Sequence, residues 1–114
     1  MSNKGFFEKS KYGFLDVDVV LYDKNLNPIY GDGYTTSEKP TIRSTINDAV
    51  EEYKYCSDYD KRENGDPDKY EPKYCYIFTS PAFNHGIFTL NGRNLSDKID
   101  VNKLDYDYPR WVRY

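Results

Sequence analysis

The chain carries few residues that could act as catalytic nucleophiles or proton-transfer groups. It contains one histidine, His85, and two cysteines, Cys56 and Cys75, in 114 residues. Hydrolytic triads, Cys–His pairs and most zinc sites require a histidine, so only His85 could serve them. His85 lies between Asn84 and Gly86 at the expected tip of a hairpin, where a turn residue is the simpler interpretation. Cys75 is expected in a strand as a small buried hydrophobe. The sequence therefore favours a protein that is not an enzyme.

One acidic segment has part of the spacing of a calcium-binding loop. Position 3 of that loop needs an oxygen ligand, but when the loop is counted from Asp60 this position holds Arg62. The segment also lies between a helix and a proline-led strand, whereas a calcium-binding loop of this type lies between two helices. A solvated acidic turn is the preferred interpretation, and neither a metal nor another cofactor is expected. The residues that do fit positions 5, 6, 7, 9 and 12 are Asn64, Gly65, Asp66, Asp68 and Glu71.

Tyrosine is the side chain that the sequence has in excess, with 13 tyrosines against two alanines. A buried phenol must find a hydrogen-bond partner, so many of the tyrosines are expected at the surface, where tyrosine is common in recognition sites. Several of them flank or lie within the acidic segment 58–71. Carboxylates steer a docking surface onto a basic protein, and aromatic rings supply its contact area. The residues predicted to bind a protein partner are Tyr55, Asp58, Tyr59, Asp60, Asp66, Asp68 and Tyr70.

Two other functions remain open at the level of sequence. Tyr74, Tyr76 and Phe78 alternate onto one face of a strand, and Trp111 lies among basic residues near the C-terminus. Aromatic faces of this kind stack bases, so Tyr74, Tyr76 and Trp111 form an alternative surface for single-stranded nucleic acid or a nucleotide. The net charge of −3 opposes phosphate binding. The third interpretation is a structural protein that assembles through unpaired hairpin edges.

Composition bounds the class of protein and hints at its origin. A chain of 114 residues forms one domain with a modest core. No apolar run approaches the roughly 20 residues of a membrane span, and residues 1–9 lack the apolar region of a signal peptide, so we expect a cytoplasmic protein with reduced thiols. Abundant Lys, Asn, Asp and Tyr with scarce Ala indicate an AT-rich genome. Small acidic domains of this composition are typical of bacteriophage accessory proteins, which suggests an inhibitor of a host defence protein.

The elements that would position these residues begin with a hairpin. Residues 14–22 alternate apolar and acidic side chains, which predicts a strand with one buried face, and residues 29–35 predict its return strand. Residues 1–12 are polar and expected to be mobile, with Phe6 and Phe7 as a hydrophobic latch. The side chains expected on the buried face are Leu15, Val17, Val19 and Leu21.

An amphipathic helix and a second hairpin follow. Thr41 or Ser44 is expected to cap the helix, which should end near Cys56 and give way to a long acidic loop over residues 57–72. Residues 73–79 and 86–91 predict the second hairpin, and residues 109–114 a final strand. The predicted fold is α+β: a small antiparallel sheet of two β-hairpins, with one amphipathic helix packed on one face and a C-terminal tail strand.

Overall fold

Two β-hairpins lie side by side in one antiparallel sheet with the order β2-β1-β3-β4. The computed structural model describes residues 6–64, 71–81 and 83–104, without the side chains of 56–64, and the predicted tail strand 109–114 lies outside them. The predicted α+β fold is confirmed. Its elements are β1 (Leu15–Tyr22), β2 (Pro28–Thr36), α1 (Ile42–Asn64), β3 (Tyr74–Ser80) and β4 (His85–Thr89).

Strand β1 is central, because it pairs with β2 on one side and with β3 on the other. Its predicted alternation is confirmed: the apolar residues Leu15, Val17, Val19 and Leu21 are buried in the main core, whereas its two aspartates are exposed. The alternation places every second side chain on the same face of the sheet. The main core therefore lies between this face and α1.

Helix α1 begins with a reciprocal cap. The Ser44 amide donates to Thr41 Oγ1 at 3.0 Å, and the Thr41 amide donates to Ser44 Oγ at 2.9 Å, so two amides at the start of the helix have partners. Ile42, Ile46 and Tyr53 are buried against the sheet, as the apolar stripe predicts. The predicted end of the helix was wrong, because α1 continues through Asn64. Residues 57–64 are therefore helical and not part of an acidic loop.

The second face of the sheet is also covered over part of its area, which the sequence did not predict. Val20, Tyr22, Tyr76 and Ile87 form a second buried cluster that is completed by Leu104. The segment that leads to Leu104 adds partly buried apolar side chains and ends in a 3-10 turn at Val101–Lys103. The side chains of this covering segment are Leu95, Ile99 and Val101.

The N-terminal latch is present. Phe7 is buried in the main core, and Phe6 packs edge-on against Phe88 with 5.9 Å between ring centroids. The Phe6 carbonyl accepts hydrogen bonds from Thr79 Oγ1 at 3.0 Å and from Asn84 Nδ2 at 2.9 Å. Residues 6 and 7 thus contact the second hairpin and the main core.

The second cluster should depend on the segment 95–104. Leu104 is 8% exposed, so Leu104→Ala removes buried methyl groups and is expected to lower the free energy of unfolding by about 2 kcal/mol. The neighbouring exposed residue gives the control, since Lys103→Ala should change the free energy of unfolding by less than about 0.5 kcal/mol. Urea denaturation measures both, and equal effects of the two substitutions would show that the segment does not stabilise the second face.

Candidate functional site

An acidic groove lies between α1 and the edge strand β2, with a volume of about 280 Å³. Its floor is apolar or neutral: Val19 of β1 and two buried residues of α1, Thr45 and Ala49. Carboxylates from both elements form its rim, and no lysine or arginine lines it among the described residues. We call these rim residues, together with the tyrosine between them, the acidic groove: Asp32, Tyr34, Asp48, Glu51 and Glu52.

Tyr34 connects the two sides of the groove. Its phenol lies close to the hydroxyl of Thr45, which donates to the Thr41 carbonyl at 2.8 Å. Burial raises the pKa of Tyr34 above its ordinary value, and the nearby carboxylates of Asp48 and Asp32 raise it further, so the phenol keeps its proton at neutral pH. The ring, still 36% exposed, is a fixed aromatic surface set between negative charges.

The half of β2 beside the groove is exposed. Residues 29–31 are buried, but residues 32–35 are exposed at every position, so side chains on both faces of this half-strand reach solvent. Strand β2 is the first strand of the sheet, and no strand in the described part of the chain pairs with its outer side. Its outer edge and its helix-facing side therefore both border the acidic groove.

The acidic surface continues along the helix. Positions 48, 51, 52 and 55 are separated by three or four residues and fall on one helical face. Tyr55 ends this described stripe and is 88% exposed, more than any other large apolar or aromatic side chain described. Positions 58 and 59 follow in the same helical register, because the backbone of α1 runs on through Asn64. Tyr55 thus continues the acidic helix face beyond the groove.

The structure describes only some of the residues that the sequence predicted for partner binding. Tyr55 lies on the stripe just described, and Asp58, Tyr59 and Asp60 belong to α1, although their side chains are outside the description. The remaining three fall on residues that are not described: Asp66, Asp68 and Tyr70. Sequence reasoning missed the groove, because its residues come from two elements that are adjacent only in the folded chain.

The alternative stacking surface is largely covered. Tyr76 is 8% exposed in the second cluster, and Tyr74 and Phe78 pack partly buried against the same cluster. The strand face proposed for base stacking is therefore occupied by the segment 95–104 over most of its length. Trp111 lies outside the described residues.

His85 and Cys75, the two residues considered for a catalytic role, both have a structural role in the fold. His85 begins β4 instead of lying in the turn, and its Nδ1 lies 3.2 Å from the Tyr76 hydroxyl, with which it shares a hydrogen bond. Burial raises the pKa of the Cys75 thiol to about 12, so it stays protonated and unreactive at neutral pH. Within residues 6–55, 71–81 and 83–104, no group of three or more potential ligands could hold a metal ion.

Exposed aromatic residues occur at one end of the sheet as well. Phe83 adopts φ 56° in the turn between β3 and β4, is 70% exposed and lies 6.2 Å from the Phe78 ring. Phe14, also exposed, precedes β1 and its exposed carboxylates Asp16 and Asp18. This end combines apolar rings with negative charge.

None of the described helices is long and apolar enough to span a membrane. Comparison with known protein families, curated proteins and solved structures finds no match. The fold and its groove define a small α+β domain with an acidic, tyrosine-bearing surface.

The charge of β1 gives a pH-dependent prediction. Burial raises the pKa of Asp18, and the carboxylates of Asp16 and Asp32 raise it further. The folded chain therefore holds this proton more tightly than the unfolded chain does, and stability is lost as the pH rises through the raised pKa. Because the side chain is largely exposed, Asp18→Asn should stabilise the fold by only about 0.3 kcal/mol near pH 7 and have no effect near pH 3.

Urea denaturation at the two pH values measures this difference. Asp97→Asn serves as the control, because Asp97 is an exposed carboxyl in a turn away from these three aspartates. If Asp18→Asn raises the free energy of unfolding as much near pH 3 as near pH 7, the electrostatic explanation is contradicted.

Proposed function

We propose that this protein is a non-catalytic binding module that docks onto a basic protein surface through the acidic groove and the adjoining helix face. One observation carries the proposal: four carboxylates surround a partly exposed tyrosine in a groove that no basic side chain lines among the described residues. Such an arrangement attracts a positively charged partner over a distance and offers it a rigid aromatic contact.

The electrostatics of the groove support binding more than catalysis. Burial is the main cause of the raised pKa of Tyr34, and the carboxylates of Asp48 and Asp32 add to it. Among the described residues that line the groove, none is basic, so a lysine or arginine of a partner would balance this negative charge. The groove also lies beside Tyr55, which adds exposed aromatic area on the same side. We retain positions 58, 59 and 60 as an extension of this surface along α1.

The composition of the chain suggests which partner to seek. We propose a phage- or mobile-element-encoded accessory protein that acts in the cytoplasm of the host cell and inhibits a host defence protein by stoichiometric occlusion. Support comes from the amino-acid composition, which is typical of AT-rich genomes, and from the small acidic domain. Proteins that bind phosphate backbones commonly carry basic clefts, which would complement this surface.

The experiment is capture of the partner with tagged full-length protein, before and after nuclease treatment, followed by association kinetics with the captured protein. Neutralising the groove with Asp32→Asn, Asp48→Asn, Glu51→Gln and Glu52→Gln should slow association about tenfold at low salt, because steering is lost. The asparagine at position 32 keeps the oxygen that accepts the Gly33 amide at 2.9 Å, so the fold should be preserved.

Two matched variants complete the design. Neutralising four exposed acids away from the groove makes the same charge change and should slow association less than twofold: Glu8, Glu38, Glu71 and Asp97. Asp58, Asp60, Asp66 and Asp68 changed together to Asn test the extension along the chain. If the groove variant and the control variant slow association equally, net charge alone explains the effect and the groove is not the binding site. Capture of nucleic acid only, lost after nuclease, would contradict the proposal.

A further inference from the structure

Strand β2 presents a set of backbone groups to the open edge of the sheet. The Gly33 amide donates to the carboxylate of Asp32 at 2.9 Å, which turns it towards the outer edge and away from β1. In an antiparallel pair, residues that face the partner strand alternate with residues that face outward. The amide and carbonyl groups of Gly33 and Thr35 therefore face outward at exposed positions, whereas Gly31, in the same register, is buried. No further strand pairs with them in the residues that the structure describes.

This edge has few of the features that keep sheet edges from pairing with other chains. Proteins protect such edges with lysine, proline, bulges or very short strands. Strand β2 has nine residues, its proline is the first residue, and its register shift lies at the Tyr22 end, away from residues 32–35. The carboxylate of Asp32 accepts the Gly33 amide, which an incoming carbonyl would have to take from it.

We propose that β2 accepts an extended basic peptide segment as an added strand, with alternate side chains of that segment entering the acidic groove. This inference rests on the proposed function and specifies how the partner is recognised. Side chains of an added strand alternate between the two faces of the sheet. Those on the helix side would lie beside Asp32 and Tyr34 and opposite Asp48 and Glu52, so lysine or arginine fits there.

The face of the sheet opposite α1 has room for the remaining side chains of the same segment. Gly31 and Gly33 carry no side chain, and a Cβ at Gly33 would collide with Asp18 Oδ1. The glycines leave the exposed carboxylates of Asp16 and Asp18 accessible from the edge, within reach of a long basic side chain on an added strand. Thr35 Oγ1 donates to Asp16 and fixes that carboxylate in place. Both faces beside the edge are therefore acidic, which commits the occupant to a basic sequence.

The test uses pools of synthetic peptides of about nine residues with Lys or Arg at alternate positions, and an acidic pool of the same design as the control. Full-length protein labelled with nitrogen-15 reports which amides change. The basic pool is expected to bind, and amide exchange at Gly33 and Thr35 is expected to slow about tenfold or more on binding. Absence of binding by the basic pool at low salt would overturn the inference.

Backbone methylation separates strand addition from simple charge attraction. In the best-bound peptide, N-methyl groups on the amides of one edge should weaken binding about tenfold, whereas methyl groups on the opposite edge should not. Equal effects of the two patterns would show attraction through side chains alone and overturn the inference. Slowed exchange at Gly33 without peptide, rising with protein concentration, would make a second copy of the chain the occupant and overturn it too.

A charge exchange tests the groove in the same assay. Asp48→Lys with Glu52→Lys should shift preference from the basic to the acidic pool, while Glu38→Lys with Asp97→Lys, at exposed sites outside the groove, should not. If the captured partner depends on the groove carboxylates but leaves the Gly33 and Thr35 amides unprotected, strand addition is wrong and the proposed function stands. If those amides are protected by peptides and no basic partner is captured, the proposed function fails.

Discussion

The pairing of β1 with β3 is the interaction on which the rest of the structure depends. It joins two hairpins, each only marginally stable by itself, into one sheet with β1 and β3 at its centre. Residues on both faces of β1 are then buried: Leu15, Val17 and Val19 against α1, and Val20 with Tyr22 in the second cluster. The same central position brings Asp16 and Asp18 into the sheet, where burial and mutual repulsion raise the pKa of Asp18.

The sequence predicted the elements whose patterns are local. The alternation along β1 and the stripe from Ile42 to Tyr53 specify a strand and a helix without reference to the rest of the chain. The end of the helix was missed because the apolar stripe stops at Tyr53 and residues 55–60 have only modest helix propensity. Three good helix formers, Lys61, Arg62 and Glu63, follow just before the helix ends. Asn64 followed by Gly65 is the stop signal, and it gives the correct boundary when it is preferred over hydrophobic periodicity.

The covering of the second face and the acidic groove could not be predicted in the same way. Leu95, Ile99, Val101 and Leu104 have no regular period, and their common feature, contact with the sheet beside Tyr76, exists only in the folded chain. The groove depends on where α1 crosses the sheet, which no single segment encodes. The excess of tyrosine was informative only in part, because Tyr22, Tyr30, Tyr53 and Tyr76 are buried while Tyr12 and Tyr55 are exposed.

The exposed half of β2 is ordered without the support of a core, and this has a consequence for binding. Residues 32–35 lie beyond the buried part of the strand, yet pairing with β1 holds the backbone of the half-strand extended. A side-chain hydrogen bond from Thr35 to Asp16 fixes it further, and Tyr34 lies close to Thr45 of α1. A partner that adds to this edge would therefore meet a strand already in its bound shape, so the conformational entropy lost on binding falls mainly on the partner. The affinity of this protein then depends on the charge and extension of the incoming segment more than on rearrangement of its own fold.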